Sequence, residues 1–289
     1  MSLGLERGMV RLLAHDSRWD AAALETIAQL KTVLGNLAID IQHIGSTSIQ
    51  AIAAKPIIDI AVAVCDFEAV LGRTAQMEHA GFLFRKQEHG AQLLFACGDY
   101  TIPNGIVTHF IHVVKHQSAE WKNYLRFRDY LNTRLAVAKE YEALKLQLAA
   151  QCSIDPGREK YLAGKHDFIQ HTLRKAQVWS FLGKTATVTI DRPIGTAHPK
   201  HPDILYPINY GYIAGELAPD NEELDVYILG VHEPLETFRG HIIAIVHRNN
   251  DVEDKLVAAR DGVSFTADEI TASIRFQEQF YDSYIEVLI

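Results

Sequence analysis

Residues 43–60 read HIGSTSIQAIAAKPIIDI and carry two ingredients of phosphate chemistry. Gly45 to Ser48 are small residues following an alternating apolar stretch. A turn of that kind lets backbone N–H groups approach a phosphate, and the hydroxyls of Ser46, Thr47 and Ser48 add donors. Asp59 follows inside an apolar run, where a lone carboxylate needs a partner. A magnesium or manganese ion bridging phosphate oxygens would supply one, so Asp59 is a candidate metal ligand and catalytic residue, with Lys55 nearby as a cation for the substrate. His112 in THFIHVV is a candidate second ligand and His109 a weaker one, since imidazole suits transition metals better than magnesium. The competing reading makes Asp59 a buried carboxylate bonded to backbone or to Lys55.

Two further pairs repeat a spacing. Tyr141 and Lys145 in YEALK lie one helical turn apart, as do Tyr161 and Lys165 in YLAGK. On adjacent helices they can converge on an anion, with Arg128 of FRDYL joining them. Spacing alone fits surface lysines and packed tyrosines equally well.

A second acidic cluster lies in YPINYGYIAGELAPDNEELDVYIL, residues 206–229. Asp220, Glu222 and Asp225 repel one another unless a cation neutralises them, which proposes a hard-metal site, and Tyr210 can orient a phosphate through its hydroxyl. Asp251, Glu253, Asp254 and Lys255 follow in DVEDKL, with Glu253 as a further metal ligand and Lys255 as a cation.

The elements that must hold these groups follow from pattern. Trp19, Ala23, Ile27, Leu30 and Leu34 mark a helix capped by Asp16. LAIDIQHI alternates as a strand, and PIIDIAVAV is apolar enough for a strand covered on both faces. One helix is expected from Asp66 to Gly81, strands at AQLLFAC and IVTHFIHVV, and long helices over about 118–151 and 156–178, the latter opened by Asp155-Pro156. Beyond Gly183 the chain turns β-rich, with ATVTI, LDVYILG and GHIIAIVHR, and ends in a helix whose Thr266 and Glu269 have capping-box spacing. This order predicts an α+β protein of two domains, 4–180 and 184–289.

Composition narrows the partners. With 289 residues, 48% of them hydrophobic, each half can bury its own core. A net charge of −8 argues against binding duplex DNA but allows a local basic pocket for a small anion. Cys65, Cys97 and Cys152 form neither a zinc pattern nor a disulfide framework, and Cys65 and Cys97 are expected to be inert fillers in a reducing, cytoplasmic compartment. No apolar run is long enough for a membrane and no signal peptide is evident. A homo-oligomer is compatible with all of this.

Over residues 10–176 the motifs HIGSTS, KPIIDI, THFIHVV, FRDYL and YEALK resemble the GrpB (UPF0157) family of the nucleotidyltransferase superfamily. The resemblance implies a nucleotidyltransferase-like α/β core with a helical extension, and raises Lys145 and Lys165 above ordinary surface lysines. The superfamily usually carries Asp-x-Asp or Asp-x-Glu on the second strand; here the pair is Asp59 and Ala61. The second half is similar to family I inorganic pyrophosphatases in Tyr206 to Gly211, Asp220 to Val226 and Asp254-Lys255. That implies a small β-barrel of the OB-like kind with Asp225 and Lys255 catalytic, Asp191 and Lys200 standing for an early Glu and Lys, and several metal ions. Glu222 and Glu253 replace the usual aspartates, while an arginine-bearing hairpin and a terminal Tyr-Lys pair are absent. Together these imply metal-dependent nucleotidyl transfer to a small molecule, with a tethered, weakened pyrophosphatase-like domain. The alternative is a non-catalytic nucleotide or phosphoanion binder built from two degenerate enzyme folds.

Overall fold

The computed structural model describes residues 3–88, 91–102, 104–151, 157–198, 202–203, 205–218 and 222–288. Lys200 and Asp220, Cys152 and the Asp155-Pro156 pair lie outside them. The chain divides into two compact units, Met1–Leu173 and Arg174–Ile289. The sequence places the change of character further on, at 180 to 184.

The first unit is built on a six-stranded sheet. In chain order its strands are β1 (Leu5–Glu6), β2 (Ala38–Ile44), β3 (Ile58–Val64), β4 (Leu83–Glu88), β5 (Gln92–Gly98) and β6 (Ile106–Lys115). They lie in the order β2-β3-β6-β5-β4, with β1 on the part of β6 that β3 leaves free. β3 and β6 are parallel, and the other pairings are antiparallel.

The apolar run in β3 has the expected cause. Ile58, Ile60, Val62 and Val64 pack with Leu30 and Leu34 of helix α1 (Arg18–Leu34) in one core. Ala61 and Ala63 face the other way, against Trp121, Ile44 and Val114. Alternation therefore puts Asp59 on the alanine face. Small residues there make room for Trp121 of helix α4 (Ala119–Thr133).

Helices expected as single runs are broken. Residues 67–79 form α2 (Phe67–Leu71) and α3 (Thr74–His79), and Thr74 Oγ1 donates to the Leu71 carbonyl at 2.7 Å across the break. A side chain that bonds a nearby carbonyl competes with helix continuation. The stretch expected at 118–151 divides at Arg134 into α4 and α5 (Leu135–Gln151), with Arg134 at ψ 76. The last stretch divides into α6 (Gly157–Ala163) and α7 (His166–Trp179). At this break a Cβ on Gly164 would meet Leu148 at 2.5 Å, so the missing side chain lets the turn sit against α5. The N-cap position of α1 is Ser17, which makes no side-chain cap, rather than the expected Asp16; Asp16, one residue earlier, accepts from the Arg18 N–H at 2.9 Å. Cys97 is half-buried, and burial pushes its thiol up to about 12, whereas Cys65 is exposed rather than a filler.

The second unit is a closed five-stranded barrel. Its strands are β7 (Thr185–Arg192), β8 (Asn209–Leu217), β9 (Glu223–Ile228), β10 (Thr237–Arg248) and β11 (Lys255–Ala259). The order β11-β9-β8-β7-β10 closes through a β10–β11 pairing, and β12 (Ser283–Val287) extends β10. Helix α8 (Ala267–Glu278) begins with the expected capping box. Val188, Ile213, Val226, Ile228, Ile245 and Leu256 belong to the core shared by all five strands. Tyr210, Tyr227 and Val257 pack instead with Ile270 and Ile274 of α8. Alternation thus places Asp225 and Lys255 on the outer, α8-facing side of the wall. Among the described residues no helix is long and apolar enough to cross a membrane.

Candidate functional site

In the first unit the turn between β2 and β3 is shaped by what it must touch. Gly45 has φ +70, and a Cβ there would collide with the Asp59 carboxylate. Ile44 pairs with Asp59 in the β2–β3 register, which brings the turn over the carboxylate. The three hydroxyls of the turn divide their work. Thr47 is buried and its Oγ1 lies 3.0 Å from His43 Nε2, while Ser48 Oγ donates to the Gly45 carbonyl at 2.6 Å. Ser46 alone of the three lines the neighbouring cavity, and it hydrogen-bonds Tyr141.

That cavity has a volume of about 230 Å³. Ser46, Lys55, Asp59, Tyr161 and Lys165, all picked out in the sequence, share its lining. Glu6, Arg7 and Phe110 also line it and were missed. Phe110 could have been found only from register, since it pairs with Asp59 across β3 and β6. Arg7 depends on β1, a two-residue strand with no periodic signal.

Of the two tyrosine–lysine pairs, Tyr161 and Lys165 line the cavity, and Tyr141 and Lys145 are not in its lining. Lys55 Nζ lies 4.3 Å and Lys165 Nζ 4.5 Å from the Tyr161 ring centre, and Lys145 Nζ lies 4.6 Å from that of Tyr141. Lys145 is fully buried and donates to the Ala53 carbonyl at 2.6 Å. Burial, reinforced by the charge of Lys165, pulls the Lys145 ammonium down to about 7. Burial also lowers Lys165, with Asp59 opposing. Burial pushes the Tyr141 phenol up to about 12 and raises Tyr161 too. Arg128 does not join this group. It donates to Gln42 Oε1 and the His43 carbonyl, both at 3.0 Å, and pairs with Asp129 at 2.8 Å.

His112 pairs in register with Ala61, the position that lacks the second carboxylate. Its Nε2 stands 3.3 Å from Asp59 Oδ1, and its Nδ1 lies 3.3 Å from both Gln92 Oε1 and the Tyr124 hydroxyl. His109 is turned elsewhere, with Nε2 3.2 Å from Thr26 Oγ1 and Nδ1 2.9 Å from Thr108 Oγ1, and burial lowers its pKa. His43 is lowered to about 4, chiefly by burial, with Asp20 and Asp59 opposing. Asp59 and His112, on neighbouring strands, are thus brought side by side.

In the second unit Lys255 is the centre. Its ammonium donates to Asp225, to Glu253 at 2.8 Å and to the Tyr210 hydroxyl at 2.9 Å. Burial pushes the Tyr210 phenol well above its ordinary value. Asp191 is raised by burial, with Asp225 adding to the effect and Arg192 opposing it. Glu222 is exposed. Arg248 is buried and donates to Glu278 at 3.0 and 2.5 Å and to Asp251 at 2.9 Å. Asp254 pairs with Lys175 at 3.0 Å and His247 at 2.8 Å. These carboxylates are neutralised by side chains, which does not fit a cluster of metal ions. Among the described residues no group of three or more His, Cys, Asp or Glu is placed to hold one.

Residues 9–175 match the sequence profile described as GrpB protein, and the chain belongs to that family. It is 36% identical over 176 residues to the glutamate-rich protein GrpB of Alkalihalophilus pseudofirmus, covering 60% of this chain and 99% of that one. The UPF0157 protein YqkA of Bacillus subtilis is 36% identical over 171 residues, covering 59% of this chain and 48% of YqkA. The crystal structure of the conserved protein GrpB from Enterococcus faecalis matches with a TM-score of 0.52 at 28% identity, over 57% of this chain and 96% of that one. The inorganic pyrophosphatase from Ehrlichia chaffeensis matches 37% of this chain and 87% of its own, at a TM-score of 0.30 and 15% identity. A likeness of that size defines neither activity nor ligand.

Proposed function

We propose that the first unit is a nucleotidyltransferase-like site that binds a phosphate-bearing small molecule, a nucleotide, and transfers part of it to a small acceptor. One observation carries this reading: the Asp59 carboxylate lies under the Gly45 turn in a cavity that also holds Ser46, Lys55 and Lys165. The cations attract phosphate, the turn fixes its position, and the carboxylate faces the reacting end. Magnesium or manganese would be held by Asp59 and His112, where it would neutralise charge on phosphate oxygens. Lys55 and Lys165 orient the anion, and Tyr141 fixes the Ser46 hydroxyl.

The second unit, in this reading, is a pyrophosphatase-like barrel of weak or altered phosphohydrolase activity. Asp225, Lys255 and Tyr210 are its candidate residues. Tethering would place it near any pyrophosphate that the first unit releases.

The alternative of a non-catalytic phosphoanion binder draws on Ala61, which removes a carboxylate from the strand, and on Lys255, which neutralises Asp225 and Glu253. The test is a panel of nucleoside triphosphates with magnesium or manganese, with binding read by calorimetry and pyrophosphate release by phosphorus NMR. Metal-dependent release that Asp59→Asn abolishes supports transfer. Binding without release selects the alternative, and no binding of any nucleotide or phosphate ester sinks both.

A further inference from the structure

Residues 49–53 lie outside the sheet, so their backbone polar groups need other partners. Two helices supply them with side chains. From α4, Asn132 Nδ2 donates to the Ser48 carbonyl at 2.9 Å, and its Oδ1 accepts from the Gln50 N–H at 3.3 Å. From α5, Lys139 donates to the Ala51 carbonyl, Glu142 Oε1 accepts from the Ala53 N–H, and Lys145 donates to the Ala53 carbonyl at 2.6 Å. Lys139 and Glu142 also pair with each other at 2.8 Å. Ile49 and Ile52 of the same segment are fully buried. Ser46 and Lys55, both in the cavity lining, bracket the segment that these helix side chains hold.

We infer that Glu142 and Asn132 are positioning residues for the cavity: neither lines it, and both hold the segment that sets the spacing of Ser46 and Lys55. The inference rests on the proposal that this cavity binds phosphoanions. A loose segment would have to be ordered when the anion arrives, at a cost to affinity; one already fixed by α4 and α5 binds without that loss. The sign of the effect separates this role from electrostatics. Glu142 carries negative charge and is bonded two residues from Lys55, so by Coulomb's law any neutral replacement favours an incoming anion. Positioning demands the opposite for a side chain that cannot accept from the Ala53 N–H. Glu142→Gln keeps an oxygen acceptor and Glu142→Leu does not. Both lose the ion pair to Lys139, which is more than half exposed and contributes little.

Pyrophosphate binding to the full chain is measured by calorimetry, and amide exchange over residues 49–54 by mass spectrometry. Glu140→Leu removes an exposed carboxylate from the same helix and is the charge control. Glu142→Leu should weaken pyrophosphate binding about tenfold, and Glu142→Gln should recover most of that loss. Asn132 is exposed, so Asn132→Ala, with the same expected weakening, is the second variant should Glu142→Leu fail to fold. In either weakened variant the amides of residues 49–54 should exchange faster in the free chain and regain protection when pyrophosphate binds, a local change that general destabilisation of the fold does not produce. If Glu142→Leu and Asn132→Ala bind pyrophosphate as well as the unaltered chain or better, the inference is wrong and the phosphoanion site stands. Equal weakening by Glu142→Gln and Glu142→Leu also overturns it, since the hydrogen bond to Ala53 then has no part in the effect. Absence of pyrophosphate binding to the unaltered chain overturns both.

Discussion

The Asp59 carboxylate occupies the space into which a Gly45 side chain would project. The two residues lie on either side of a turn, joined by the Ile44–Asp59 register, and neither can be enlarged without moving the other. Gly45→Ala should therefore cost about 2–4 kcal/mol, from left-handed strain together with overpacking. Urea denaturation measures the loss. Nucleotide affinity should drop further than stability alone explains, because the displaced carboxylate no longer faces the cavity.

Asp59→Asn keeps the shape of the carboxylate and removes its charge. Nucleotidyl transfer should fall at least about 100-fold with the fold retained. His112→Ala should weaken manganese affinity by about 10–100-fold, as loss of a supporting metal contact does. Manganese titration by electron paramagnetic resonance gives that number without any turnover. Unchanged affinity in both variants would remove the Asp59–His112 pair from consideration as a metal site.

Lys145 sets a pH dependence with a defined sign. It faces the Lys165 charge, the Glu142 carboxylate, the Tyr141 ring and the Ala53 carbonyl. Its folded pKa of about 7 lies below the ordinary 10.5, so between those values the unfolded chain holds more protons. The destabilisation is full below pH 7 and fades as pH rises, so stability to urea should increase from pH 7 toward 9. Lys145→Met should flatten that slope.

Lys255 holds Asp225 and Glu253 together on the barrel wall. Lys255→Met leaves buried or half-buried carboxylates unmatched and should destabilise the second unit by about 3–5 kcal/mol. Neutralising them as well, with Asp225→Asn and Glu253→Gln, should recover much of the loss. A triple variant as unstable as the single one would show that Lys255 acts through its packing alone. Thermal unfolding by calorimetry distinguishes the two.

The local chemistry of the first unit was legible because its parts are close in sequence. The small-residue turn, the apolar strand and the repeated Tyr-x-x-x-Lys spacing each announce themselves within a few residues. Arg128 misled for the opposite reason: its composition fits an anion site, but its position beside β2 gives it Gln42 and the His43 carbonyl to hold. Thr47 and Ser48 looked like phosphate donors, yet a tight turn uses such hydroxyls on itself. The closed barrel depends on β9 and β11 pairing in parallel, a long-range choice that no local pattern encodes. Mutual repulsion among the acids suggested metal ions, whereas Lys255 on the adjoining strand supplies a cation that only the β9–β11 pairing brings to Asp225.

The cavity draws its walls from four distant stretches: residues 5–9, 46–59, 107–110 and 161–165. Closing each of those loops costs chain entropy before any contact rewards it, and connections of high sequence separation form late. The ligand pocket should therefore be among the last parts of the first unit to assemble and the first to be lost when β1 or α6 frays. Occupancy by an anion would then act as a clasp, drawing both ends of the unit into a single cooperative transition and raising protection of their backbone amides against hydrogen exchange.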